Sequence, residues 1–100
     1  MNKKRISNTA RAHVFYSGRV QGVGFRYTAE RIALELKLVG WVKNLPDNRV
    51  EIVCEGHKEK VELFLTEIRR SPLGATIQKV DCRWEEPTRE FKDFCIEFCL

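Results

Sequence analysis

Residues 17–27, SGRVQGVGFRY, join two different periodicities. Ahead of them, AHVFYS (12–17) puts Val14 and Tyr16 on one side of an extended chain, the two-residue period of a strand. Behind them, Phe25, Ala29, Ile32 and Leu36 recur at helical spacing, with Glu30, Arg31, Glu35 and Lys37 on the other faces. The stretch itself carries Gly18, Gly22 and Gly24, two arginines (Arg19 and Arg26), and apolar Val20, Val23 and Phe25. A strand therefore runs through a glycine-punctuated loop into a helix.

Further along, LVGWVKNL (38–45) and RVEIVCE (49–55) flank the turn signal PDN and predict a hairpin, with Val50, Ile52 and Cys54 on one face and Gly56 at its end. A second helix is expected from about Lys58 to Arg70, where Val61, Phe64, Leu65 and Ile68 form the apolar stripe. Pro72 and Gly74 in SPLG stop it. TIQKVDCRWEE then reads as a strand with Val80, Cys82 and Trp84 on one face, and DFCIEFCL as a last strand burying Phe94, Ile96 and Phe98. The order predicts an α+β fold, a ferredoxin-like two-layer sandwich with an antiparallel sheet and two helices on one face. Residues 1–11 are expected to be a flexible tail and 12–100 a single domain.

One hundred residues can bury roughly two-thirds of the unfolded chain's surface, enough for one core. With 43% apolar and 32% charged residues, the chain reads as globular, and no apolar run is long enough to span a bilayer. MNKKRISNTARA has no hydrophobic stretch behind its charges and does not read as a signal peptide, so a cytoplasmic protein without a membrane partner is expected; a monomer is expected as well. The net charge of +4 favours anionic partners without choosing among them. The four cysteines include no C-x-x-C pair and no zinc spacing. Cys95 and Cys99 in one strand would lie about 13 Å apart, too far to bridge. Cys54 and Cys82 read as core residues, and Cys95 and Cys99 as exposed.

The glycine loop matches neither nucleotide cradle. No Gly-Lys dipeptide is present for a P-loop, and GVGFRY has tyrosine where the dinucleotide fingerprint needs its third glycine. Glycines still let backbone N–H groups converge, and a following helix adds its unpaired amides and the positive end of its dipole. Arg26 in the first turn offers a planar fork for two phosphate oxygens. An anion site and a turn with solvated arginines both fit this pattern.

GRVQGVGFR (18–26), followed by GWVKNLPD (40–47), resembles the acylphosphatase family. SPLGATI and the closing aromatic strand extend the resemblance over residues 12–99. It implies that the loop of Val20, Gln21, Gly22, Val23, Gly24, Phe25 and Arg26 binds a phosphoryl group, with Arg26 as the phosphate-binding arginine. Asn44 is implied to hold the attacking water, and Arg19 to serve loop structure. Gly24 stands where some animal members have cysteine, and Leu45 where others have threonine; neither change touches Arg26 or Asn44. The implied reaction is hydrolysis of an acyl phosphate to carboxylate and inorganic phosphate, with no metal, no cofactor and no covalent enzyme intermediate. Phosphate is expected as product and inhibitor.

Other residues carry less. His13 and His57 read as surface histidines, Ser17 has no partner for nucleophilic work, and Asp47 suits the hairpin turn. Glu30 suits a helix surface, Tyr27 an ordinary helix position ahead of a place at the border of the site, and Trp41, alternating with Val39, the core. An RNA-binding module on the same fold would need exposed aromatics on the central strands, where Phe15 is accompanied by Glu51 and Glu55. No nucleic-acid partner is expected. The chain length also favours a free-standing enzyme over an accessory domain of a larger maturation enzyme.

Overall fold

The computed structural model describes residues 8–98. Most of the tail expected at the N-terminus lies outside that range, but strand β1 spans Thr9–Gly18, so residues 9–11 belong to the sheet. Helix α1 (Phe25–Glu35), β2 (Val39–Asn44), β3 (Val50–His57), α2 (Lys58–Arg70), a 3₁₀ turn (Pro72–Thr76), β4 (Ile77–Glu85) and β5 (Phe94–Glu97) follow. The sheet order is β4-β1-β3-β2-β5. The first four strands pair antiparallel, as the split β-α-β order requires. The edge strand β5 departs from the antiparallel expectation and pairs parallel to β2, with Val42 opposite Ile96 and Lys43 opposite Glu97.

Both helices lie on one face of this ferredoxin-like sheet and enclose the core. Val14 and Tyr16 of β1, Val50, Ile52 and Cys54 of β3, and Val42 of β2 are fully or almost fully buried beneath Phe25, Ala29 and Ile32 of α1 and Val61, Phe64 and Ile68 of α2. Each large apolar side chain of this set contributes about 1.5–3 kcal/mol by leaving water. Tyr16 packs its ring 5.0 Å from that of Phe25, fastening the end of β1 to the start of α1 on either side of the glycine loop. Helix α1 closes in a Schellman turn: the Lys37 amide donates to the Leu34 carbonyl and the Leu38 amide to that of Ala33. Lys37 occupies its left-handed position at φ 60°, where glycine is usual.

Several side chains sit otherwise than the alternation suggests. Gly40 and Val42 face the helices, so Trp41 lies on the opposite face of β2, half-buried, with the Lys43 ammonium 4.8 Å from its ring. Cys82 and Trp84 are exposed rather than core residues. They share the face of Val14 and Ala12, their partners on β1, but β4 is an edge strand and the helices do not reach over its far end. Phe98 lies one residue past β5 and is 62% exposed. Cys95 is exposed as expected, and Cys99 lies outside the described residues.

The outer face of the sheet is covered by charge. The guanidinium groups of Arg49 and Arg83 lie 4.8 and 5.5 Å from the Phe15 ring. His13 stands between Glu51 (2.5 Å) and Glu85 (3.0 Å). Glu55 is only 2% exposed. The chain between β4 and β5 folds over it: Glu55 accepts from Arg11 (2.8 Å), the Thr88 amide (2.8 Å) and hydroxyl (3.0 Å), and the Arg89 amide (3.0 Å).

Candidate active site

The loop after β1 is tied down at its start, where the Arg19 amide donates to the Thr76 carbonyl at 3.0 Å and Val20 is fully buried. Beyond Val20 the chain turns through two left-handed glycines, Gly22 (φ 76°) and Gly24 (φ 81°), the second capping α1. A Cβ on either would meet no atom within 4 Å. The glycines therefore leave open space above the loop. Among the described residues, the amides of 20–24 have no hydrogen-bond acceptor. Those of Phe25, Arg26 and Tyr27 stand in the first turn of α1, where a helix supplies no acceptor of its own. The positive end of the helix dipole adds to them.

Across the loop stands Asn44, the last residue of β2. Gly40, four residues earlier, lets β2 lie close to β3, because a Cβ there (φ 136°) would sit 1.9 Å from the Val53 carbonyl oxygen. One concavity of about 180 Å³ is bounded by Val20, Gly22, Gly24, Phe25, Arg26, Tyr27 and Asn44. It has room for a phosphate-sized anion together with a water molecule. Five of the seven loop residues singled out in the sequence line it, with Asn44. Gln21 and Val23 do not: Val23 faces solvent, and the Gln21 side chain turns away to the hairpin, donating to the carbonyls of Leu45 and Arg49, both at 2.9 Å.

Tyr27 at the border of the site was the sequence's second choice, and two further contributions escaped the sequence. Tyr27, 62% exposed, lines the concavity from the first turn of α1. The Gln21 amide acts on backbone carbonyls far along the chain, which no local pattern announces. Phe98 lays its ring 5.0 Å from the Arg26 guanidinium. Among the described residues, Arg26 has no carboxylate within ion-pair distance. Two of the thiols are poor nucleophiles: burial pushes Cys54 up to about 12 and Cys82 in the same direction. Asp47 is engaged in the hairpin turn, accepting from the Arg49 amide and Nε.

The acylphosphatase family model matches residues 12–96, from β1 to β5. The chain belongs to the acylphosphatase family. An acylphosphatase of Roseiflexus sp. (strain RS-1) is 49% identical over 91 residues, which is 91% of this chain and 98% of that protein. The crystal structure of acylphosphatase from Bacillus subtilis superposes with a TM-score of 0.81 at 34% identity, covering 88% of this chain and 98% of that one. Full-length HypF in its phosphate- and nucleotide-bound form matches 95% of this chain at a TM-score of 0.80 and 31% identity, but only 12% of its own length. The acylphosphatase fold thus also occurs as a small part of a longer chain. Family and fold together support an enzyme that hydrolyses acyl phosphates to carboxylate and inorganic phosphate.

Proposed function

We propose that the concavity between the glycine loop and Asn44 is where that hydrolysis takes place. The observation that carries this reading is that loop residues Val20, Gly22, Gly24 and Phe25 line one concavity together with Arg26 and Asn44. The phosphoryl group lies against the amides of residues 20–26, and Arg26 clamps two of its oxygens. Asn44 cannot act as a base at neutral pH, but its side-chain amide orients a water towards phosphorus. The water oxygen bonds to phosphorus as the bond from phosphorus to the acyl oxygen breaks. The carboxylate departs without needing a proton, and the water's proton passes to a phosphoryl oxygen.

In a loose phosphoryl-transfer transition state the charge resides on the equatorial oxygens, so positioned amides and a guanidinium supply what the reaction needs. No general acid, covalent intermediate or metal is called for. Among the described residues no group of three or more His, Cys, Asp or Glu side chains is placed to hold a metal ion. The enzyme acts as a cytoplasmic monomer without nucleic-acid or membrane partners; the free thiols of Cys54, Cys82 and Cys95 fit a reducing compartment.

Benzoyl phosphate hydrolysis tests the assignment. Wild-type enzyme should turn over in excess EDTA, with inorganic phosphate as a competitive inhibitor. Arg26→Ala should raise KM and lower kcat, and Arg26→Lys should rescue poorly because an ammonium lacks the bidentate fork. Full activity of folded Arg26→Ala, or activity that depends on an added divalent ion, would refute the reading.

A further inference from the structure

We infer that Phe98 is a positioning residue for the phosphate-binding arginine, an inference that rests on the role proposed for Arg26. The parallel pairing of β5 with β2 sets Lys43 opposite Glu97, and one further step in that register brings Phe98 level with Asn44. Phe98 follows Phe94 and Ile96 on the side of the sheet that carries α1. There its ring meets the Arg26 guanidinium at 5.0 Å. The ring is 62% exposed and lies beyond the strand, so core packing does not account for its position.

The choice of partner has a chemical consequence. A carboxylate beside Arg26 would occupy the N–H groups that phosphate needs and would compete with it. An aromatic face attracts the guanidinium through its π cloud while leaving the N–H edge free. The ring thus restricts the arginine to fewer orientations before substrate arrives, which lowers the entropy lost on binding. Since Arg26 holds phosphate in the ground state and the transition state alike, removing the ring should act on binding more than on turnover.

The experiment compares Phe98→Ala, Phe98→Leu, Phe98→Tyr and Phe98→Trp, in wild-type and Arg26→Ala backgrounds, by benzoyl phosphate kinetics and by inorganic phosphate inhibition. Phe98→Ala and Phe98→Leu should each raise KM and the phosphate inhibition constant about three- to fivefold, the scale of a half-exposed cation–π contact, with kcat changed less. Tyr and Trp should restore both constants. In the Arg26→Ala background the loss of the ring should have no further effect. Thermal melting confirms folding, and an exposed ring predicts melting temperatures close to wild type. Unchanged phosphate inhibition in Phe98→Ala, or full function in Phe98→Leu, would overturn the inference while leaving Arg26 in place. Unchanged inhibition in Arg26→Ala would instead remove the reading on which it rests.

Discussion

The side-chain nitrogen of Gln21 donates to the main-chain carbonyl of Leu45 at 2.9 Å, joining the glycine loop to the residue after Asn44. A second bond, to the Arg49 carbonyl at 2.9 Å, fixes both ends of the hairpin turn to the same side chain. The glycine loop and Asn44, the proposed phosphate cradle and water holder, are thereby held in one frame, although 24 residues separate Gln21 from Leu45.

Gln21→Leu should therefore act on geometry more than on phosphate affinity. Losing two hydrogen bonds costs about 1–3 kcal/mol of stability. We expect kcat to fall by about tenfold, since a displacement of the order of an ångström costs that much or more, with phosphate inhibition changed less. Gln21→Glu, which turns a carboxylate on two carbonyl oxygens, should be worse on both counts. A Gln21→Leu enzyme with wild-type kcat would show that the loop and Asn44 keep their relation without this bridge.

Where one physical signal dominated, the fold was legible. Helix α2 spans Lys58–Arg70 as its apolar stripe and SPLG stop indicate, and the rings of Tyr16 and Phe25 mark the two sides of the loop. Trp41 was misread because β2 has apolar residues on both faces, and Gly40, whose missing Cβ permits close strand contact, marks the inner one. Cys82 and Trp84 alternate as a buried face should, but alternation says nothing about how far the helices extend. The burial of Glu55 depends on residues more than thirty positions away. Arg26 and Asn44 were legible only through the family resemblance, because the loop's local pattern fits a solvated turn equally well.

The loop glycines separate stability from function. Gly22→Ala and Gly24→Ala meet no steric clash but must hold a left-handed backbone, which costs about 1–2 kcal/mol. Their new methyl groups would project into the open space above the loop. We expect folded proteins whose KM and phosphate inhibition constant rise at least tenfold, measured beside thermal melts. Retention of wild-type phosphate affinity would mean that the phosphoryl group does not approach the loop backbone closely. Gly40→Ala should instead fail by unfolding, since its Cβ collides with the Val53 carbonyl.

Lys37 offers the opposite test. It carries the left-handed position of the turn after α1 without glycine's freedom, at φ 60°. Lys37→Gly should stabilise the fold by about 0.5–1 kcal/mol, the relieved strain exceeding the entropy added to the unfolded chain. Denaturant unfolding reads this directly, and activity should not change. A destabilised Lys37→Gly would indicate that the lysine side chain contributes more than its backbone strain removes.

Acid stability should depend on Glu55. Burial alone would raise its pKa, but hydrogen bonds from the Thr88 amide, Arg11, the Arg89 amide and the Thr88 hydroxyl outweigh it and hold the carboxyl below the ordinary value of 4.5. The unfolded chain then binds the proton more readily than the folded one, so the contribution is complete above pH 4.5 and is lost as pH falls through the lowered folded value. Glu55→Gln should cost about 1–3 kcal/mol at neutral pH and flatten the decline on acidification. Parallel pH profiles for the two proteins would contradict this.

The most direct measurement is the separation of turnover from binding in Asn44→Ala. Thermal melting first establishes that the variant is folded. Benzoyl phosphate kinetics should then show kcat lowered by about two to three decades, or roughly 3–4 kcal/mol of transition-state stabilisation, the scale of losing one positioned polar group. Inorganic phosphate should inhibit nearly as well as in wild type, because the loop amides and Arg26 remain. A folded Asn44→Ala enzyme with near-wild-type kcat would contradict the account and leave the glycine loop facing some other group.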